Sequence, residues 1–241
     1  MSYMYKYDDK KRTYGEEGTF AFGSQKPLVI ICEGKDDQIF LNYFIKHLEI
    51  DNDLDIDDYN IIPVNGLGNL QEFTKKCKEY SNYNYVKSLL FIRDADNDAE
   101  RAVKSIQNHI ATIWNVNLDY IGDFQTDKDN VKIGFFIMPG LNENKIFRNG
   151  TLEDLCTDIL NIEEKSINSS DIIFQVNNYI KNIENLRTKN FKTPHKNRLH
   201  LCFSSTDKFV GSKIGEAAKK GAFNFHSDKL DRLKEMILKM S

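Results

Sequence analysis

The chain has no C-x-x-C pair. Its four cysteines, Cys32, Cys77, Cys156 and Cys202, are scattered through 241 residues, a spacing that argues against a zinc site and against a secreted disulfide framework and suits a reducing compartment. A basic excess is also missing. The formal net charge is −3 and the pI about 6.0, so no global positive field draws in nucleic acid, and any polyanion contact must come from a local patch. No run approaches the ~18 apolar residues that a membrane span needs, and the opening MSYMYKYDDKKRTYG has no apolar signal-peptide core. A soluble, cytoplasmic protein with no membrane partner is expected. There is no Walker A sequence and no internal repeat, and the five histidines show no metal-ligand spacing.

What is present suits a packed core. At 40% hydrophobic, the chain can bury one elaborated domain. Residues 28–32, LVIIC, form a continuous β-branched apolar run, as expected of a strand covered on both faces. Ile39, Phe40, Tyr43, Phe44 and Leu48 then recur at helical spacing, predicting a helix over 36–49. Strands are expected at 59–64, 88–92 and 132–138, with helices at 70–80 and 99–113 between them. Strict alternation implies right-handed crossovers and an α/β fold with a mainly parallel sheet, helices on both faces. Beyond residue 150 helices dominate. Thr151-Leu-Glu-Asp154 reads as a capping box, 172–186 and 230–240 read as helices, and 198–203 fits strand or helix equally. The division expected is an N-terminal arm or hairpin (1–26), an α/β core (27–140) and a mainly helical elaboration packed on it (141–241).

The chemistry concentrates where strands end. The first strand stops at CEGKDD and the third at IRDADND. Ligands of open parallel sheets bind outside the carboxyl ends of the strands. Alternate residues of an extended chain point the same way, so Asp94 and Asp96 are expected to present two carboxylates together, with Asp98 adding a third and Glu33 reaching them from the neighbouring strand. Uncompensated carboxylates repel, and a divalent cation with oxygen ligands is the natural remedy. An EF-hand does not fit, because Ala99 and Ser105 fall where its glycine and final glutamate belong.

This pair of motifs resembles the Toprim signature, a Glu after the first strand and Asp-x-Asp after the third, shared by topoisomerases, bacterial primases and OLD-family nucleases. The likeness covers about 28–138, and the turn Asn65-Gly-Leu-Gly-Asn69 fits it. More narrowly, GTLEDLC and IGEAAKKGAF resemble motifs of a Toprim-like family of bacterial and archaeal proteins with no assigned reaction. The resemblance implies that Glu33 acts as acid/base or metal ligand, while Asp94 and Asp96 hold Mg²⁺, or Mn²⁺ in its place, during phosphodiester chemistry; Asp98 is the further candidate ligand. The chain has room neither for the tyrosine domain of a topoisomerase nor for the zinc element of a primase. Hydrolysis of DNA or RNA, or simple binding, is left.

Other residues frame that site. Gly34 and Lys35 adjoin Glu33, and Gly66 and Gly68 can aim backbone N–H groups at a phosphate, although such a turn is also ordinary punctuation. Glu153 and Asp154 are either a further metal carboxylate or part of the helix cap. Residues 181–198 hold six Lys/Arg against one Glu, interleaved with Phe191 and His195. Arg187, Lys189, Lys192, Lys196 and Arg198 are therefore candidates to grip a nucleic-acid backbone, or else are solvated surface. Lys213, among Lys208, Lys219 and Lys220, is the candidate to stabilise transition-state charge. An ATPase partner, such as OLD-type Toprims use, has to be a separate chain. Two functions stay open: a Mg²⁺-dependent nuclease, and a non-catalytic module that binds nucleotide, nucleic acid or a partner.

Overall fold

The computed structural model describes residues 25–51, 54–64, 66–79, 82–164, 167–188, 191 and 193–241. The expected arm over 1–26 falls almost wholly outside them.

The run LVIIC forms β1 (Leu28–Cys32), with every residue buried. α1 (Lys35–Asp51) follows, then β2 (Tyr59–Pro63), α2 (Leu67–Lys76) and β3 (Ser88–Asp94). Next come α3 (Ala99–Trp114), β4 (Gln125–Thr126) and β5 (Lys132–Met138). The sheet order is β2-β1-β3-β5-β4, with only β4 antiparallel. It is the mainly parallel, helix-covered sheet that the alternation predicted. β4 was not anticipated, since two exposed residues carry no readable pattern.

This order creates a crevice. From β1 the chain moves to one side to make β2, then crosses back to make β3 on the other, so the connections part between β1 and β3. Their carboxyl ends flank the place where such sheets bind ligands. The register pairs Ile31 with Phe91 and Asp94 with Met138. Phe91 packs on Trp114 with ring centroids 5.5 Å apart, so the odd-numbered side chains of β3 face α3. α3 buries Ala99, Ala102, Val103, Ile106, Ile110 and Trp114 along one face, each large apolar side chain being worth about 1.5–3 kcal/mol.

The later chain supplies α4 (Leu152–Asp158), a short hairpin of β6 (Glu163–Glu164) and β7 (Ile167–Asn168), and α5 (Ser169–Leu186). α6 (Pro194–Ser204) resolves the ambiguous 198–203 segment as helix; it opens on a proline and buries Leu199, Cys202 and Phe203. α7 (Ile214–Lys219) and α8 (Asp231–Leu238) close the fold. The IGEAAKKGAF motif has a packing reason: a β-carbon on Gly215 would stand 2.3 Å from Ile39 Cγ2 of α1. Tyr59 Oη donates to Ile237 O at 3.2 Å, Ser88 Oγ donates to Met240 O, and Lys132 Nζ donates to Ser241 O at 2.8 Å. These are the first residues of β2, β3 and β5, so α8 and its tail lie under the amino edge of the sheet, away from the crevice.

Candidate functional site

Where β1 ends, the chain turns through Glu33 and Gly34 into α1. Asp37 stands three residues into the turn, and its Oδ2 accepts the Gly34 N–H at 3.0 Å. This is the carboxylate half of a capping box, which pulls Asp37 back over the strand end. The Gly66 N–H donates to Glu33 O at 2.9 Å, so the glycine turn before α2 lies against Glu33. Gly66 has φ +116°, a conformation that L side chains rarely adopt. Gly68 is exposed in the first turn of α2. Asn65 lies outside the described residues.

On the neighbouring strand, Arg93 Nε lies 3.7 Å from Glu33 Oε1, and both occupy the α3 side of the sheet. Asp94 faces the other way. Its Oδ1 accepts the Leu152 N–H at 2.9 Å, which fastens the end of β3 to the start of α4. The chain then leaves the extended region. Asp96 has φ +52°, and its backbone pairs with Gly150 in both directions, at 2.9 and 2.7 Å. The expected alternation of Asp94 and Asp96 therefore breaks, because the strand stops at Asp94 and a short polar side chain tolerates the left-handed turn. Asp96 is exposed. Asp98 caps α3, accepting the Arg101 N–H at 2.9 Å, while Asn149 bonds Ala99 N and Asn97 O at 2.8 and 2.9 Å.

α4 opens on the expected capping box of Thr151 and Asp154. Asp154 is further held by Arg198 Nη1 at 3.2 Å, and His195 Nδ1 stands 2.6 Å from its Oδ2. Glu153 takes no part in the cap. It is buried, with Lys196 Nζ 3.5 Å from its Oε1.

These placements gather Glu33, Asp37, Asp94 and Glu153 from four separate elements. Burial pushes the Asp37 carboxyl up to about 7, with Glu33 and Glu153 adding to the rise. Burial also drives Asp94 well above the usual carboxylate range, joined by repulsion from Asp37, Glu33 and Glu153 and opposed by the Leu152 N–H. Glu33 is raised by burial, held back by Arg93 and raised again by Asp96. Cys32 and Cys156, both fully buried, are pushed up first by burial and then by these acids, so their thiols stay protonated. The cations in ion-pair range of the four acids, among the described residues, are Arg93 and Lys196. Glu33 Oε1 is buried with no hydrogen-bond partner among the described residues. As the chain is folded, no three His, Cys, Asp or Glu side chains among the described residues already close on one point tightly enough to hold an ion. Mutual repulsion is a sufficient reason.

The remaining sequence candidates divide. Lys196 and Arg198 reach the acids of α4. Arg187 is exposed, with its guanidinium 4.4 Å from the Phe191 ring centroid. Lys189 and Lys192 lie outside the described residues. Lys35 is exposed at the start of α1. Lys213 is exposed before α7, and no ion pair or hydrogen bond among the described residues ties it to the acids. Sequence reasoning left out Asp37, which stood in plain view in CEGKDD as an acid at a helix start, and Arg93, whose neighbour Glu33 is 60 residues away in the chain.

The family described as "Protein of unknown function (DUF3226)" matches residues 27–240. The chain belongs to this family. No curated protein and no solved structure matches it. The DUF3226 match takes in every element described above, including the four gathered acids. In the described part of this DUF3226 chain, no helix is long and apolar enough to cross a membrane.

Proposed function

We propose that the acidic edge holds a divalent cation, Mg²⁺ or Mn²⁺, and that the protein hydrolyses phosphodiester bonds in DNA or RNA. The observation that carries this reading is the gathering of buried Asp37 and Glu153 with half-buried Glu33 and Asp94 into one mutually repelling set. Burying like charges is costly unless something compensates them. The donor set fits a hard cation: it consists of carboxylate oxygens, and Glu33 Oε1 is a buried acceptor that no described residue hydrogen-bonds. Glu33, Asp94 and Glu153 would hold the ion from within and Asp96 from the rim. Asp98 has one oxygen committed to its helix. When bound there, the cation supplies Lewis-acid stabilisation of charge growing on a phosphoryl oxygen.

The protein's own residues have separate work. Asp37 has a carboxyl near neutrality, suited to taking or giving a proton; its Oδ2 is engaged by Gly34, which leaves Oδ1 for that role. Arg93 opposes the rise that burial imposes on Glu33 and brings positive charge to the place where a phosphate has to approach acids. Lys196, more than half exposed beside Glu153, extends that charge outward. The likeness of CEGKDD and IRDADND to the Toprim signature points to the same chemistry.

A second reading is a non-catalytic module that binds nucleotide, nucleic acid or a partner ATPase, with the same half-buried acids and Arg93 used for binding alone. One assay separates the two. Purified protein and its Asp94→Asn variant are incubated with mixed single- and double-stranded DNA and RNA, with Mg²⁺, with Mn²⁺ and with a chelator. Metal-dependent cleavage that the variant lacks supports hydrolysis. Binding without cleavage under every condition supports the module.

A further inference from the structure

Directly beyond the Asp96 turn, a groove of about 570 Å³ runs from Asn97 and Asp98 past Gln107 to Tyr120 and Ile146. It lies between α3 and the loop after β5, and it begins one residue from an acid of the proposed site. Its size is that of a small-molecule pocket, for which roughly 300–1,000 Å³ is usual.

Three properties define what fits. The far wall is apolar and exposed: Tyr120 is 36% and Ile146 49% accessible. The Tyr120 ring is propped by buried Phe147, with centroids 5.9 Å apart, so the platform is held in place. The charge is wrong for a phosphate, because Asp98 and Glu100 line the groove and its lysine, Lys104, is already tied to Glu100 at 2.6 Å. An uncharged ring meets no such penalty. The polar groups suit the edge of such a ring. Gln107 spends its amide N–H groups on Leu118 O and Asp119 O, each at 3.0 Å, leaving an acceptor oxygen. The Asn97 side-chain amide has no hydrogen-bond partner among the described residues.

We infer that this groove receives an unpaired nucleobase of a single-stranded nucleic acid whose neighbouring phosphodiester lies at the acidic edge. The inference deepens the proposed function and rests on it for the placement of the phosphodiester. It names the substrate class: a single strand or a frayed end, since paired bases present neither a free face to Tyr120 nor a free edge to Asn97 and Gln107.

The test uses the full chain with Ca²⁺ and fluorescent hexadeoxyadenylate, hexariboadenylate, an abasic strand of equal length and a blunt duplex, followed by anisotropy. Tyr120→Ala is expected to weaken binding of one or both adenylate strands about tenfold, the scale of one lost stacking contact. Tyr120→Phe should bind as the wild type does, and the abasic strand should bind the wild type as poorly as adenylate binds Tyr120→Ala. An unchanged melting temperature checks that the exposed substitution leaves the fold intact. Equal binding by wild type and Tyr120→Ala, equal binding of the abasic strand, preference for duplex, or no binding at all would overturn the inference. The cation reading is scored separately, by the rise in melting temperature that Mg²⁺ produces without any oligonucleotide. That rise can survive failure of the groove, and the Tyr120 effect can survive its absence.

Discussion

Asp94 Oδ1 accepts the Leu152 N–H at 2.9 Å, and this contact joins the carboxyl end of β3 to the first turn of α4. It brings Glu153, the next residue, to the crevice beside Glu33 and Asp37. The amide of a helix start favours a carboxylate, which offsets part of the repulsion that Asp94 meets there. The gathered acids are thus held by backbone geometry as well as by tolerance for one another.

The first prediction follows from the direction of these shifts. Glu33, Asp37 and Asp94 are all raised in the folded chain. Each therefore contributes stability that is fully present below the ordinary carboxylate range and is lost as pH rises through its folded value, near 7 for Asp37. Metal-free protein should lose stability between about pH 5 and about pH 8. Asp37→Asn, which can still accept the Gly34 N–H, should gain on the order of 2 kcal/mol at the upper end and little at the lower. Urea unfolding at both pH values measures this; a less stable variant at the upper pH would assign Asp37 a structural task.

Cation binding should show the opposite pH trend. Deprotonation of Asp37 adds negative charge beside the ligand acids, so Mg²⁺ should bind more tightly as pH rises through the Asp37 value of about 7. Titration calorimetry in two buffers of different ionisation heat would count the protons released. An affinity flat across that range would separate ion binding from these acids.

Glu153 and Asp154 are adjacent yet should behave differently. Asp154 completes a capping box and holds Arg198, so Asp154→Ala should cost about 1–2 kcal/mol of stability while the stabilisation by Mg²⁺ persists. Glu153→Gln should do the reverse. Melting curves of both variants with and without Mg²⁺ distinguish them, and identical behaviour would remove Glu153 from the ion site.

The basic segment also divides. Arg198 is engaged with Asp154, so reversing its charge disturbs the fold. Arg187 and Lys196 are exposed, and reversing both should weaken nucleic-acid binding for all sequences and lower the log–log salt slope by about one per lost phosphate contact. An unchanged slope would make them solvated surface.

Much of the fold was legible in the residues. β1 and β5 begin and end where LVIIC and KIGFFIM predicted, because continuous apolar runs have one outcome in a covered parallel sheet. Arg198 to Phe203 was ambiguous, since six residues carry too little period to choose; Pro194 at the first turn, read with them, marks the helix start. The site was legible in part. Glu33 and Asp94 flank the crevice as expected, but Asp96 departed from the alternation because the strand stops two residues earlier than that argument assumed. Asp37 joined the acids through a capping bond and Glu153 through a contact spanning 58 residues. The first relation is local and readable in CEGKDD; the second leaves no trace in local pattern.

The most direct measurement is Mn²⁺ binding followed by electron paramagnetic resonance, with Mg²⁺ as competitor, on wild type, Asp94→Asn and Glu33→Gln. The expected result is stoichiometric Mn²⁺ uptake by the wild type, displaced by Mg²⁺ and strongly weakened in both variants, with all three proteins folded. No uptake by folded wild type, or equal uptake by all three, would contradict a cation site at the meeting of β1 and β3.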